Sequence, residues 1–239
     1  MILTAHQPVY LPWLGLFHKI ALSDIFVLYD HVQFQTDDWN HRNKIKSPSG
    51  PLWLTVEVAQ RDHLHKRLTE IALQDTKPWR RKHLRSIEQS YAKAPYFRSY
   101  IDFFVDMYSH PWDNLVDLNL HQLLWLLDTL DIRVPLKRAS AMDLEGRKSG
   151  MALEMCRKVG ADILIFGSQG RDYAEVEAFA AAGVDVVFQD YRHPVYPQLY
   201  GEFASHLSVI DLLFNCGPSS LDILMSGNLT KADLRKRAG

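Results

Sequence analysis

The sequence predicts an α/β fold in which a Rossmann-like, mostly parallel sheet carries a helical insertion. Three observations predict it. Short apolar runs alternate with amphipathic segments near both ends of the chain, which is the order typical of parallel strands with helices on their faces. Four of these runs end in loops that are rich in hydrogen-bond donors. The middle of the chain, about 76–131, shows helical patterns instead of strands.

The strands are predicted from short apolar runs that end at polar or turn residues. In chain order we expect them at 2–5, 25–29, 52–58, 134–138, 162–166 and 184–188, with an extended pattern continuing over 32–34. Outside the insertion, helices are predicted from apolar residues at helical spacing. We expect them at 15–22, 149–159, 174–182 and 207–215, with Gly160 and Gly183 ending two of them.

Proline positions organise the helical middle. Pro78 suits the first turn of a helix, and Pro95, Pro111 and Pro135 separate the helices that follow. Three remaining segments are polar and basic and are interpreted as loops or a solvated tail. They are 37–46, 60–67 and 231–237.

Length and composition favour one domain that spans 1–239. Lys and Arg number 27 and Asp and Glu number 28, so the net charge is −1, which argues against a dedicated surface for double-stranded nucleic acid. Cys156 and Cys216 are interpreted as reduced thiols of a cytoplasmic protein. No signal peptide, membrane-spanning segment or metal site is predicted, and the oligomeric state stays open.

Polar residues follow four of the predicted strands, and ligands of open α/β sheets bind outside the carboxyl ends of the strands. In chain order these residues are His6, Gln7 and Tyr10; Asp30, His31 and Gln33; Gly167, Ser168, Arg171, Asp172 and Tyr173; and Gln189–His193. We therefore expect the four loops to converge on one functional cleft.

The loop 6–15 is the most unusual of these segments. Pro8 and Pro12 restrict its backbone, and Gly15 would allow the start of the following helix to approach an anion closely. His6 is a candidate general acid or base, or a ligand of phosphate. Trp13 is expected to pack against the sheet.

The segment 37–46 combines a ring with cations and amides. Arg42 and Lys44 suit an anionic ligand, Trp39 offers a face for stacking, and Asn43 adds hydrogen-bonding groups. The alternative is a solvated basic loop.

Two later loops are also open to two interpretations. In 167–173, backbone amides and the Ser168 hydroxyl suit an anion, although Arg171 and Asp172 would equally form a surface ion pair. In 190–198, rings spaced among Arg, His and Gln suit a platform for a base or a sugar. The alternative for 190–198 is a loop folded over the core.

Four blocks of residues stand in a fixed order along nearly the whole chain: 6–20, 30–45, 167–173 and 193–217. Together they resemble the WbqC-like protein family. The resemblance implies a bacterial protein linked to surface polysaccharide, such as O-antigen, or to other sugar-decorated products. Its residues carry over as substrate-binding positions without individual roles. They are Gln7, Tyr10, Trp13, Lys19, Gln33, Trp39, Arg42, Asn43, Lys44, Gly167, Ser168, Arg171, Tyr173, His193, Tyr196 and Gln198.

The chain departs from this pattern at 204–206, where a proline is expected. The opening block is also similar, more weakly, to adenylate-forming enzymes of the pantothenate-synthetase type. That similarity implies a nucleotide or a nucleotide-linked substrate, but the second histidine of the motif is missing, and Tyr10 or Trp13 occupies its region.

The leading hypothesis is a cytoplasmic transferase that moves an acyl, aminoacyl or nucleotidyl group from a phosphate-bearing donor to a sugar amine or hydroxyl. His6 would transfer the proton, and Asp30 or Asp172 would orient the acceptor. The charge-neutralising residues would be Arg42, Lys44 and Arg171, and the stacking residues would be Tyr10, Trp39 and Tyr196.

Two alternatives belong to other functional classes. One is a non-catalytic module that binds a nucleotide sugar or a protein partner. The other is a protein that contacts tRNA or single-stranded RNA through the basic and aromatic segment 79–85. The first would bind a nucleotide sugar without turnover, and the second would bind with a steep dependence on salt.

Overall fold

The computed structural model describes residues 1–36, 38–59 and 66–237. Its strands are β1 (Ile2–His6), β2 (Ile25–Leu28), β3 (Arg42–Ser47), β4 (Gly50–Thr55), β5 (Leu136–Arg138), β6 (Ile163–Phe166) and β7 (Asp185–Phe188). Five of them form a parallel sheet in the order β5-β2-β1-β6-β7. Four of these five are mainly apolar because such a sheet is covered on both faces. The predicted Rossmann-like α/β fold is confirmed.

The helices are α1 (Leu14–Ala21), α2 (Trp79–Tyr91), α3 (Phe97–Ser109), α4 (Leu115–Thr129), α5 (Lys148–Val159), α6 (Val176–Ala181), α7 (Val209–Cys216), α8 (Ser220–Met225) and α9 (Lys231–Arg237). Helices α2, α3 and α4 fall where the helical insertion is predicted. That they insert into a single domain stays a prediction. Helix α5 ends at Gly160, whose φ of 72° is the left-handed conformation expected of a glycine cap.

Helices cover the parallel sheet on both faces, and alternate residues of β2 show it. Phe26 and Leu28 belong to the large core that includes α1, α4 and α7. Ile25 and Val27 belong to a second core that includes α5 and α6. This alternation follows from the period of two residues along a strand. The sheet is therefore the middle layer between two groups of helices.

The prediction that 37–46 is a loop is wrong for its second half, because β3 pairs with β4 in an antiparallel hairpin outside the main sheet. Asn43 and Ile45 are buried, whereas Arg42 and Lys44 are only half-buried. This alternation of cations with buried residues is the pattern of a strand with one covered face.

The predicted solvated tail 231–237 is instead the helix α9. Leu234 on this helix is buried, and both Lys231 and Arg235 form ion pairs with Asp24, which precedes β2. The helix is stabilised because it covers apolar residues near the amino-terminal ends of the strands. Of the other predicted basic loop, 60–67, residues 60–65 lie outside the described residues.

Candidate functional site

Strands β1 and β6 are neighbours in the middle of the sheet, and the direction in which successive strands are added changes between them. The chain moves from β1 to β2 on one side and later enters β6 and β7 on the other. Ligands of open α/β sheets bind at this switch point, outside the carboxyl ends of the strands. His6 ends β1 there, and Gly167 follows the end of β6. The topology therefore places the first predicted loop at the position that favours a ligand.

Lys19 carries a buried ammonium group at this place. It lies on α1, is 3% exposed, and donates from Nζ to the carbonyl oxygen of Ala5 in β1 at 3.0 Å. Within the described residues, no carboxylate pairs with this ammonium. Burial lowers the pKa of Lys19 from 10.5 to about 7, because a charged group loses its hydration in the interior.

His6 is neutral at physiological pH. Its Nδ1 lies 2.9 Å from the carbonyl oxygen of Gln7, and because a carbonyl oxygen accepts only, Nδ1 carries the proton and Nε2 keeps its lone pair. Burial, and then the positive charge of Lys19, lower the pKa of His6 to about 3. An anion bound beside these two side chains would raise the pKa of both.

The pKa of Lys19 predicts how the stability of the protein changes with pH. Between about pH 7 and 10.5 the unfolded chain holds a proton on Lys19 that the folded chain has lost. The free energy of unfolding should therefore rise with pH in this window, by up to about 1.4 kcal/mol per pH unit from this group. Urea unfolding at pH 7, 8 and 9 should show the rise in the wild type, and a Lys19→Met variant should show less of it. Parallel pH profiles would contradict the depressed pKa.

Three tryptophan rings lead away from His6, and Trp13, Trp39 and Trp53 are called here the tryptophan row. The ring of Trp13 lies 5.3 Å from that of His6, Trp39 lies 5.9 Å from Trp13, and Trp53 stacks on Trp39 at 5.4 Å. A Cβ at Gly15 would lie 3.1 Å from Nε1 of Trp13. Gly15 thus makes room for a ring of the row, a different role from the one predicted.

Two cations lie over the outer end of the row. The guanidinium carbon of Arg42 is 5.1 Å from the ring centre of Trp53, and Nζ of Lys44 is 5.4 Å from it. Lys44 and Trp53 are direct partners across the hairpin, so they point to the same face. Trp53 is 46% exposed. The row therefore offers an aromatic face next to positive charge, which suits a base or sugar that carries phosphate.

Asparagines fix the first loop to the hairpin. Nδ2 of Asn40 donates to Oε1 of Gln7 at 3.1 Å and to the carbonyl of Pro8 at 2.8 Å. Nδ2 of Asn43 donates to the carbonyl of Leu11 at 2.6 Å. Asn43 is fully buried. Gln7 and Asn43 therefore position the loop that carries His6 and Trp13.

Asp30 is committed to the sheet. It is fully buried, and it accepts hydrogen bonds from Arg138 Nε at 2.6 Å and from the backbone N and Oγ of Ser140 at 2.9 and 2.8 Å. These contacts tie the end of β2 to the end of β5. Beside it, both ring nitrogens of His31 are buried without a hydrogen-bond partner among the described residues. Gln33 is exposed and forms a backbone bridge with Arg67.

The closing block forms a buried hydrogen-bond network, called here the Asp211 network, rather than an open platform. Asp211 accepts from the hydroxyls of Tyr91 at 2.8 Å and Tyr196 at 3.0 Å, and from Nε2 of Gln198 at 2.7 Å. Nζ of the buried Lys46 donates to Oε1 of Gln198 at 3.1 Å. Burial raises the pKa of Asp211, although its hydrogen bonds act against this. Asp211 therefore joins α7 to α2 through Tyr91, and Gln198 joins α7 to β3 through Lys46. Tyr196 ties its own loop to α7.

Two other predicted site residues are also engaged with protein groups. Tyr10 is fully buried, and its hydroxyl contacts Nδ1 of His83 at 2.8 Å and the hydroxyl of Tyr108. His193 lies with Nδ1 2.8 Å from the carbonyl of Pro194, so that nitrogen carries the proton. The stacking role expected for Tyr10 is incompatible with this burial.

The loop after β6 lies toward the edge strand. Arg171 pairs with both carboxylate oxygens of Asp190 at 2.8 and 2.7 Å, and its guanidinium lies 4.8 Å from the ring centre of Phe188 in β7. Ser168, Asp172 and Tyr173 are exposed beside it. Arg171 thus forms the ion pair with Asp190, not with Asp172, the partner considered from the sequence. The loop also begins at the switch point, through Gly167.

Comparison with known proteins supports the order of blocks read from the sequence. Residues 7–223 match the model of the WbqC-like protein family. The chain belongs to the WbqC-like protein family. It is 31% identical over 220 residues to Rv1507c of Mycobacterium tuberculosis, an uncharacterized protein, and the match covers 91% of this chain and 95% of that one. No solved structure matches it.

The family match of this WbqC-like chain runs from Gln7 to Ile223 in α8, so it includes Lys19, the tryptophan row and the Asp211 network. Among the residues that the structure describes, no helix is both long and apolar enough to cross a bilayer. In the same part of the chain, no group of three His, Cys, Asp or Glu side chains is arranged to hold a metal ion.

The structure of the WbqC-like chain sorts the predicted site residues into three groups. Those at the end of β1 and on the hairpin are His6, Gln7, Trp13, Lys19, Trp39, Arg42, Asn43 and Lys44. Those built into buried or partner-bound structure are Tyr10, Asp30, His193, Tyr196 and Gln198. Those near the end of β6 or exposed elsewhere are Gln33, Gly167, Ser168, Arg171, Asp172 and Tyr173.

The sequence pattern predicts only a strand at Trp53, not its place in the site. In the structure Trp53 stacks on Trp39 and pairs with Lys44 across the hairpin. The alternation of Arg42 and Lys44 with Asn43 and Ile45 is the pattern that predicts this strand, and with it the face on which Trp53 lies.

Proposed function

We propose that this WbqC-like protein is a cytoplasmic transferase in the biosynthesis of surface polysaccharide or another sugar-decorated product. It binds a phosphate-bearing donor at the end of β1 and passes an acyl, aminoacyl or nucleotidyl group to a sugar amine or hydroxyl. The observation that carries the proposal is the buried ammonium of Lys19, which lies next to His6 at the switch point without a carboxylate partner.

The electrostatics of Lys19 favour an anionic ligand. A buried charge is costly unless an opposite charge or several hydrogen bonds compensate it, and Lys19 has one protein acceptor. A phosphate group would supply both the opposite charge and further acceptors. The switch point is also where nucleotide phosphates bind in folds of this architecture.

The tryptophan row supports the choice of a donor with a base or sugar attached to its phosphates. Trp53 presents an exposed ring, and Arg42 and Lys44 lie beside it to contact phosphate oxygens. From Trp53 the row returns to His6 in steps of 5.3 to 5.9 Å between ring centres. An extended molecule lying along the row would place one end on the hairpin and the other beside His6.

The neutral His6 suits proton transfer from the acceptor. The acceptor oxygen or nitrogen bonds to the acyl carbon or phosphorus of the donor, and the bond from that atom to the leaving phosphate breaks. The proton of the acceptor passes to Nε2 of His6, while Nδ1–H keeps its hydrogen bond to the carbonyl oxygen of Gln7. Lys19 stabilises the negative charge on the departing phosphate.

Binding tests the proposal first. In a thermal-shift assay, at least one of ATP, CTP and UDP-N-acetylglucosamine should raise the melting temperature of the protein. With that ligand, Trp53→Ala should weaken binding by about 1–3 kcal/mol, the usual contribution of one stacked ring, and Trp53→Phe should retain most of the affinity. Equal affinities for wild type and Trp53→Ala would remove the row from the site.

His6→Ala tests the proton-transfer step. We expect kcat to fall about 10²-fold, at the lower end of the usual range for a general base, because a pKa of about 3 makes His6 a weak base. The measurement is the initial rate with the nucleotide found by the binding assay and a sugar amine or hydroxyl as acceptor. An unchanged rate would exclude His6 from this role. Binding with no turnover of any acceptor would instead support the non-catalytic binding module.

The RNA-contact alternative is not favoured by the position of α2. Trp79 is 4% exposed and His83 is also buried, so neither ring is available to stack on a base. Arg80 is held by Asp75. Exposed cations such as Arg81 and Arg85 remain on this part of α2, but among the described residues they lie beside no exposed ring on which a base could stack.

A further inference from the structure

A hollow lies between β4 and the start of α2, apart from the site at the end of β1. Its volume is about 630 Å³, which is within the usual range for sites that bind small molecules. It shares one residue, Trp53, with the tryptophan row. Neither His6 nor Lys19 lines it.

The inner wall of this hollow is rigid. Phe34 and Trp79 are buried, and Nε1 of Trp79 donates to the carbonyl of Gln74 at 2.8 Å. His83 contacts the Tyr10 hydroxyl through Nδ1 and bonds to the backbone of Thr55. These contacts hold the rings in place, so the wall does not have to be ordered by a ligand.

The hollow also presents polar groups that the protein does not use. The hydroxyls of Thr36, Thr55 and Ser86 line it, and they have no hydrogen-bond partner within 1–36, 38–59 and 66–237. Lys77 and Lys82 line it as well. Lys77 interacts electrostatically with Glu57 and helps to lower its pKa, but in that same part of the chain no carboxylate lies within ion-pair distance of either lysine.

The carboxylate in the lining is already engaged. Glu57 accepts hydrogen bonds from the Thr76 hydroxyl and from the backbone N–H of Lys77 at 2.8 Å. These two bonds, above all, lower the pKa of Glu57, so it is ionised at neutral pH. The lining nevertheless has two basic side chains, Lys77 and Lys82, and one acidic side chain, Glu57.

We propose that this hollow binds a sugar that carries an anionic group, either a phosphate or a carboxylate. The free hydroxyls match the hydroxyls of a sugar, because each can both donate and accept. The part of the Trp53 ring that Trp39, Arg42 and Lys44 leave exposed offers an apolar surface for the C–H groups of the sugar ring. Lys77 and Lys82 pair with the anion. The inference goes beyond the proposed function: it uses neither His6 nor Lys19, although Trp53 borders both sites.

Tryptophan fluorescence tests the inference directly, because Trp53 and Trp79 both line the hollow. The probes are glucose 6-phosphate, glucuronate, glucose and inorganic phosphate, each titrated into the full chain. At least one of the two anionic sugars should bind at least about tenfold more tightly than glucose and than phosphate, and the tighter one identifies the anion. The proposal would be overturned if neither anionic sugar bound more tightly than glucose and phosphate, or if none of the four probes bound.

Variants locate the binding. Lys82→Ala should weaken the tighter sugar about tenfold, and Thr55→Val should weaken it by a smaller factor. Arg85→Ala is the matched control, since Arg85 is an exposed cation on the same helix that does not line the hollow, and it should bind like the wild type. Equal effects of Lys82→Ala and Arg85→Ala would contradict the site. Lys19→Met should leave this binding intact, which separates it from nucleotide binding.

Discussion

Replacing Lys19 with methionine is expected to make the folded protein more stable and to remove its binding of nucleotides. Methionine retains the length and apolar stem of lysine but has no charge. Because the ammonium is 3% exposed and has one hydrogen bond, to Ala5, its removal should stabilise the fold by about 1–4 kcal/mol, as for other buried ions replaced by apolar groups. Urea unfolding at pH 7 measures this change.

The effect of Lys19→Met on binding should have the opposite sign. Removing one member of a buried, hydrogen-bonded charge pair typically costs about 2–5 kcal/mol of binding free energy. We therefore expect the Kd for the nucleotide that binds best to rise about 10²–10³-fold. Lys93→Met is the matched control, because Lys93 is exposed after α2, and it should change neither quantity. A less stable Lys19→Met variant with normal nucleotide binding would show that Lys19 is only structural.

Replacing Asp211 with alanine is expected to destabilise the protein by about 3–5 kcal/mol. The substitution leaves the hydroxyls of Tyr91 and Tyr196 and the amide of Gln198 without their common acceptor in a buried place. Each unsatisfied buried donor costs about 1–3 kcal/mol. For a chain of this length the melting temperature should fall by roughly 10 °C.

Two further variants test whether the loss of stability comes from the Asp211 network or from the removal of any carboxylate. Asp211→Asn keeps an acceptor oxygen in place and should be destabilised by clearly less than Asp211→Ala. Asp222→Ala removes an exposed carboxylate on α8, and its free energy of unfolding should stay within about 0.5 kcal/mol of the wild type. A mild effect of Asp211→Ala would show that the Asp211 network contributes little to the fold.

Local patterns in the sequence were sufficient for most of the parallel sheet. Runs such as Ile25–Leu28 and Ile163–Phe166 are apolar along their whole length because both faces of the strand are covered. The order of elements was enough to place His6 at the end of the first strand, but its place at the switch point depends on the strand order β5-β2-β1-β6-β7, which the local patterns do not contain. The end of α5 was also predictable locally, because Gly160 adopts the positive φ that a glycine cap requires.

Residues whose environment depends on distant segments were not predictable in this way. Tyr10 and Tyr196 look like stacking residues in the sequence, but both are buried. The hydroxyl of Tyr10 contacts residues 73 and 98 positions away, and that of Tyr196 contacts Asp211, 15 positions away. The polar composition around Arg42 and Lys44 suggests a loop. They lie in a strand because β3 pairs with β4, and this pairing also decides which side of the hairpin they occupy. Long-range pairing of this kind overrides local composition.

Proton uptake on nucleotide binding tests most directly whether Lys19 is the centre of an anion site. At pH 8 a Lys19 with a pKa of about 7 is mostly neutral in the free protein, and pairing with phosphate should restore its charge. Calorimetric titrations at pH 8 in buffers of different ionisation enthalpy should therefore show uptake of close to one proton per nucleotide bound, in the wild type and in Lys93→Met alike. Tight binding without proton uptake would contradict the account.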